Sequence, residues 1–356
     1  MNRRMILGLL AAIPALVLGE VKLPDWAEAK IGEAVARYQA WKGTNETVAF
    51  TFMTDVHSRL ADTNAAPDFA NSRYHVLFAQ AAADRAGCDF LVDAGDHDFE
   101  HHCPTAEEAF RRMALVRRLY APCVARPVLF CLGNHDHGPF LKDRSERPIT
   151  SALFGDALNG LAERHGFKPV FGANRSWGYC DIPGKKFRAI FCNTSDEGYY
   201  GFSQAQVDFI EQALKSLPEG WTAAAFSHYC VFDEIGHWKR YQRGGIKRKA
   251  EFMAVLEKFA RARPHAFVGM FCGDSHFDNE QELRGVNWTV SQGYGGVGVA
   301  DRPWGARTIG FGRDRDMLFE LVAVKPQTGE CRIFRVGAGG AAFDRGYIYF
   351  NEAPIE

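Results

Sequence analysis

Apolar residues along the chain fall into short unbroken runs, separated by segments with helical periodicity. Residues 47–53 (Thr-Val-Ala-Phe-Thr-Phe-Met), 90–92, 127–132, 187–193, 221–226 and 265–272 are strand-length and rich in Val, Phe, Ile and Ala. Such near-continuous runs suit strands covered on both faces. Between them, residues 24–42 place Ile31, Ala34, Val35, Tyr38 and Trp41 at helical spacing behind Pro24. Residues 70–86 read as a helix stopped by Gly87, and Thr105-Ala106-Glu107-Glu108 is a capping box opening a helix to about Tyr120. Phe202, Ser203, Gln206 and Val207 combine a hydrophobic staple with a capping box, and Val207, Ile210, Leu214 and Leu217 form one face of the helix that follows. A further helix is predicted over 246–262, and strands near 287–291, 317–323 and 331–335. Residues 138–186, rich in glycine, aromatic residues and charges, read as loops with short helices or strands, an insertion of the kind that shapes a substrate entrance. Strands alternate with helices early and run together late. The predicted fold class is α/β (α+β): two stacked mixed β-sheets flanked by helices, a four-layer αββα sandwich. No Pro/Gly/Ser linker divides it, so residues 20–356 read as a single domain with an N-terminal helix.

The strand runs end alike, and there the candidate chemistry lies. The first ends at Asp55-Val56-His57, the second at Gly95-Asp96, the third at Gly133-Asn134-His135-Asp136, a later one at His228, and another at Gly273-Asp274-Ser275-His276. Carboxyl ends of strands are where α/β sheets place their sites. Asn134 offers a ligating carbonyl oxygen, His135 a proton donor with a pKa in the working range, and Asp136 a group to orient it. As isolated features these residues have structural readings: Asp55 and Asp96 as helix caps, His57 and His276 as satisfied core histidines. Those readings do not explain why histidines accompany aspartates after successive apolar runs.

Together the five motifs resemble the calcineurin-like metallophosphoesterase family, over residues 47 to about 340. The resemblance implies a two-metal site in which Asp55, His57 and His276 bind one ion, Asn134 and His228 the other, and Asp96 bridges both. The ions would lie about 3.5–4 Å apart, clamp a phosphoryl group and generate a metal-bound hydroxide nucleophile. His135 would contact the phosphate or protonate the leaving oxygen. The implied function is hydrolysis of a phosphomonoester or phosphodiester, as a metal-dependent phosphoric ester hydrolase. The sequence departs from the family at two positions. Asp274 stands where the family usually has a histidine, so the second ion would see Asp96, Asn134, His228 and Asp274, an oxygen-rich set favouring manganese or iron, with magnesium or zinc as alternatives. Phe99 stands where many relatives carry an aspartate that orients the catalytic histidine and where purple acid phosphatases carry a tyrosine. Asp98 or Asp136 is then left to orient His135, and a tyrosine-ligated purple iron centre is not expected. His97 and His137 are candidate substrate-binding residues, with His101 and His102 nearby.

Composition narrows the partners. Hydrophobic residues make up 47% and charged residues 24%, with a formal net charge of −1, so no overall basic field recruits nucleic acid or anionic membrane. A small phosphorylated substrate is expected, with no nucleic-acid module. Lys239, Arg240, Arg243, Lys247, Arg248 and Lys249 form a local basic run that fits such a substrate or a solvated charged face. Asn2-Arg3-Arg4 followed by an apolar run from Met5 to Leu18 reads as an export signal over residues 1–19, of general or twin-arginine type, too short for a comfortable span. A periplasmic or extracellular location, with no stable membrane span after signal removal, follows as an expectation. Nine cysteines include Cys131, Cys192 and Cys272 on apparent buried strands, where they serve as small hydrophobes. A competing reading keeps the scaffold but makes it a metal- or phosphate-ligand-binding protein without turnover, motivated by Asp274 and Phe99.

Overall fold

Strand β1 (Val48–Met53) is buried at every position, and the two-residue period of a strand divides its apolar run between two cores. Ala49 and Met53 face a core shared with helices, whereas Val48, Phe50 and Phe52 face a core shared with a second sheet. Repeated along the chain, this division builds the αββα sandwich expected from the sequence. The computed structural model describes residues 23–43, 46–57, 68–97, 105–138, 147–197, 200–231, 246–291, 293 and 317–350, the side chains of 68–74 excepted.

Six strands form one sheet, in the order β13-β12-β11-β1-β2-β3. β1, β2 (Phe90–Asp93) and β3 (Val128–Phe130) run parallel, and β11 (Leu318–Lys325), β12 (Glu330–Gly337) and β13 (Arg345–Ile348) form an antiparallel meander beside β1. The second sheet has the order β4-β5-β6-β7-β8-β10-β9. Its centre is parallel, from β6 (Phe187–Phe191) and β7 (Thr222–Ser227) to β8 (Phe267–Cys272) and β10 (Val286–Val290). β4 (Val170–Phe171), β5 (Gly178–Asp181) and β9 (Asn279–Leu283) complete it antiparallel. Helices α1 (Asp25–Lys42), α2 (Asp68–Ala86) and α3 (Ala106–Tyr120), with the short α4 (Ser151–Phe154) and α5 (Gly160–Arg164), flank the first sheet. α6 (Gln204–Lys215) and α7 (Lys249–Ala262) cover the second. Between the sheets, the Phe50 ring stacks on Phe90 at 4.7 Å and meets Phe226 and Phe271 edge-on, a geometry that aromatic quadrupoles favour.

The predicted helix starts hold in part. Thr105 caps α3 by accepting from the Glu108 amide at 3.2 Å. Ser203 caps α6 in the same way with Gln206. The Gln206 side chain, however, leaves the cap and satisfies both main-chain groups of Asn193, at 2.8 and 2.9 Å. Phe202 stacks on Phe252 of α7 at 4.1 Å, so the predicted staple residue joins two helices. Eight of the nine cysteines lie among the described residues and are free thiols, all but Cys123 buried; Cys103 lies outside them.

His75 carries a testable consequence. It is a fully buried residue of α2, edge-on to Phe319, and burial pushes its pKa down to about 3, with a main-chain contact at Leu318 opposing only partly. Between its ordinary value and about 3 the unfolded chain takes up a proton that the native chain refuses. The contribution of His75 is therefore intact above pH 6.5 and is lost as pH falls, at up to about 1.4 kcal/mol per unit. Urea unfolding in chelator from pH 7 to pH 5 should show a shallower loss of stability for His75→Phe than for the parent. Parallel pH profiles would contradict this.

Candidate metal centre

The first and fifth motifs leave their strands with the same backbone turn. Asp55 (φ 52°) and His57 (φ 43°) after β1, and Asp274 (φ 62°) and His276 (φ 55°) after β8, are all left-handed, as is Asp96 (φ 56°) after β2. These are five of the eight described non-glycine residues with positive φ. Such a backbone costs energy unless its surroundings hold it, and it gathers at functional sites. The turns are tied together. The Asp274 amide donates to Asp55 Oδ2 at 2.8 Å, an oxygen that also accepts from Thr54 Oγ1 at 2.7 Å. His57 N donates to the Asp96 carbonyl. Beyond His276, Arg335 Nη2 donates to both carboxylate oxygens of Asp278 at 2.6 Å, and Arg335 in turn lies against the buried Glu320.

The arrangement has two sides. On one, Asp55 Oδ1 lies 3.1 Å from His276 Nε2, and the Nε2 atoms of His57 and His276 face each other at 3.3 Å. On the other, His228 Nε2 lies 3.1 Å from Asn134 Oδ1, 3.2 Å from Asp96 Oδ1 and 3.6 Å from Asp274 Oδ1. The Nδ1 of His228 is fixed by the Ala94 carbonyl at 2.8 Å, so Nε2 is the atom turned into the site. Asp96 joins the sides: Oδ1 faces His228, and Oδ2 lies 3.7 Å from His57 Nε2 and 3.9 Å from His135 Nε2. Asp55, Asp96, Asn134, His228 and Asp274 are buried, while the side chains of His57, His135 and His276 keep 20%, 21% and 25% of their surface and form the open side.

The donor chemistry fits metal ions. Asp55 Oδ1, Asp96 Oδ2 and Asp274 Oδ2 are buried without a hydrogen-bond donor, an expensive state for a carboxylate unless a cation is nearby. Asp55, His57 and His276 form one group of mutually close ligand atoms, and Asp55, Asp96 and His228 another. Burial opposes ionisation of Asp55 and Asp96, but the facing histidines (His276 for Asp55; His228 and His135 for Asp96) outweigh it and hold both carboxyls below their usual range. Asp274 differs. Burial dominates, His228 offsets it only in part, and its pKa is pushed up to about 6.

Three expected roles change. Asp136 does not orient His135: its Oδ2 accepts from the amides of Asp96 and Gly133, both at 3.0 Å, and its Oδ1 from the amide of His97 at 2.7 Å. His97, expected at the substrate, is 1% exposed, with Nδ1 3.2 Å from Asp136 and Nε2 3.0 Å from Asp93. Despite burial, those carboxylates raise its pKa well above the ordinary value. His137 is buried, with Nδ1 on the Ile149 carbonyl and Nε2 near Arg147, and burial lowers its pKa to about 4. Asp98, Phe99, His101, His102 and residues 239–245 of the basic run lie outside the described residues. Sequence reasoning missed Thr54, Asp93 and Tyr120. Only Asp93, a lone acid closing an apolar run, gave a local signal.

A profile of the calcineurin-like phosphoesterase family matches residues 48–229. The chain belongs to that family. Among solved structures, a dimetal phosphatase from Danio rerio is similar with a TM-score of 0.57 at 12% identity, over 85% of this chain and 99% of that one. A purple acid phosphatase from yellow lupin (Lupinus luteus) seeds gives 0.50 at 15% identity, over 86% of this chain and 53% of that one. This chain thus aligns with about half of the lupin protein. These likenesses concern the fold. No curated protein matches the sequence. Among the described residues no helix is long and apolar enough to cross a membrane.

Proposed function

We propose that this chain is an exported dinuclear-metal phosphoesterase that hydrolyses a small phosphorylated substrate, a phosphomonoester or phosphodiester. The observation that carries the reading is the two-sided Asp96 carboxylate, with His57 facing Oδ2 and His228 facing Oδ1, while Asp55 and His276 gather beside His57 and Asn134 and Asp274 beside His228. Two cations held there would polarise phosphoryl oxygens and lower the pKa of water at the site. The protein's own residues supply the rest. Asp55 and Asp96, kept ionised, hold the positive charge, Asn134 adds a neutral oxygen, and His228 is locked in orientation by Ala94. His135, on the open side, would contact the phosphoryl group and hand a proton to the leaving oxygen, a role its partial exposure beside Asp96 supports.

Three oxygen-donating residues beside one imidazole on the Asp274 side favour manganese or iron over zinc. The export assignment rests on Arg3-Arg4 and the apolar run behind them. A mature chain recovered from outside the cytoplasm should begin near residue 20, and a cytoplasmic chain retaining residues 1–19 would refute it.

The test of the reading is hydrolysis of aryl phosphate mono- and diesters by chelator-stripped protein resupplied with manganese, iron, zinc or magnesium in turn. Turnover should return, most strongly with manganese or iron, and Asp274→His should shift the preference toward zinc. A folded chain that binds one ion and hydrolyses neither ester would favour a ligand-binding scaffold, the reading that Asp274 in place of the usual histidine motivates.

A further inference from the structure

Behind the metal-facing side of Asp96 lies a chain of polar side chains with no opening to solvent. It begins at Tyr120, the last residue of α3, whose hydroxyl donates to Asp93 Oδ2 at 2.6 Å. The same oxygen lies 3.0 Å from His97 Nε2, and His97 Nδ1 lies 3.2 Å from Asp136 Oδ2. The Asp136 carboxylate then accepts from three amides, those of Asp96 and His97 after β2 and that of Gly133 after β3. A return bond runs from the His135 amide to Asp96 Oδ1 at 2.9 Å. Tyr120, Asp93, His97 and Asp136 are all about 1% exposed or less, and the His97 ring is flanked by Phe130 and Phe154.

A buried ionic set of this kind is a poor source of stability, because apolar residues of similar volume pack as well without the desolvation cost. Its distinctive product is geometry. Asp136 ties the second motif to the third through main-chain donors, and one imidazole between two carboxylates fixes the rotation of that carboxylate. Outer groups that orient a ligand in this way govern metal affinity without touching the metal.

We propose that His97, gripped between Asp93 and Asp136 and backed by the Tyr120 hydroxyl, is a positioning residue that fixes the Asp96 main chain and the turn at residues 133–136, and so holds the Asp96 carboxylate with one oxygen on each side of the site. This rests on the dinuclear phosphoesterase reading.

The test is a manganese titration of the full chain followed by electron paramagnetic resonance, with ester hydrolysis in parallel, for the parent, His97→Gln and Tyr120→Phe. His97→Gln should weaken manganese binding by roughly 10–100-fold and replace the exchange-coupled signal of a shared pair with that of isolated ions. Its kcat should fall while KM stays within about 2-fold of the parent, the pattern of lost transition-state interactions. Tyr120→Phe, which keeps the ring and removes only the hydroxyl, should move binding and coupling in the same direction by less. A folded His97→Gln protein with parental affinity and coupling overturns the proposal. Should His97→Gln fail to fold, parental affinity and coupling in Tyr120→Phe overturn it instead. A parent that binds no coupled pair overturns the dinuclear reading together with this one, whereas a coupled pair in both parent and variant overturns this one alone.

Discussion

Asp96→Ala protein, confirmed to be folded, is expected to lose ester hydrolysis by about 10³-fold or more, and to bind about one ion or fewer in place of a pair. The magnitude follows from what a dinuclear clamp contributes to a phosphoryl-transfer barrier, several kcal/mol at about 1.4 kcal/mol per decade of rate. It falls on this residue because the two oxygens of Asp96 face different histidines: Oδ1 faces His228, and Oδ2 faces His57 and His135. Removing it also unbalances the charges, since its carboxyl is kept ionised by those histidines against the cost of burial. Asp96→Asn separates shape from charge. The amide fills the same space but offers one acceptor and a donor, so it should fail nearly as badly. Turnover within a few-fold of the parent in either variant would mean that the chemistry does not pass through this carboxylate.

Gly133→Ala is the second large effect, and it requires no change in any polar side chain. A Cβ at this position would lie 2.2 Å from Asp96 Oδ1 and 2.3 Å from the Asp96 amide nitrogen. Gly133 has φ −88°, so the difficulty is close approach and not a forbidden backbone. The neighbour that must yield is the centre of the site. Overpacking of this kind costs about 1–3 kcal/mol, and displacing a reacting group by about 1 Å costs about 10²-fold in rate. Gly273→Ala should do the same from the opposite side, its Cβ falling 1.9 Å from Thr54 Oγ1 and 2.6 Å from Asp55 Oδ2. Gly32→Ala is the control. Nothing lies within 4 Å of its Cβ, and alanine within α1 should leave activity unchanged and stability equal or higher by up to about 1 kcal/mol. Activity measured beside thermal unfolding distinguishes the two classes. A fully active Gly133→Ala enzyme would contradict the packing described between the second and third motifs.

The strands that carry the motifs, β1, β2, β3, β7 and β8, and the polar residues closing them were legible in the sequence because each of these strands is buried on both faces. An apolar run that stops at Asp-Val-His or Gly-Asn-His-Asp leaves little freedom about where those side chains emerge. The edges were not legible. β9 carries Asn279, Glu280, Gln281 and Glu282 and pairs on one side only, and β13 is likewise an edge strand with Arg345 and an exposed Ile348. Neither offers an apolar run to read. The partners of polar side chains were equally hidden. Asp136 and His97 carry the letters of catalytic groups, but their roles depend on Asp93 at the end of β2 and on Tyr120, which α3 brings alongside. The spacing of Gln206 predicts half of a capping box, whereas its side-chain amide pairs with the main chain of Asn193, just beyond β6. Local spacing identifies which residues can do chemistry; packing decides which of them face the site.

The most direct test of the central claim is anomalous diffraction from crystals of the manganese-loaded chain. The account predicts two peaks about 3.5–4 Å apart, both against Asp96, one beside Asp55, His57 and His276 and the other beside Asn134, His228 and Asp274. A single peak, or a pair that leaves the Asp96 carboxylate on one side, would contradict it.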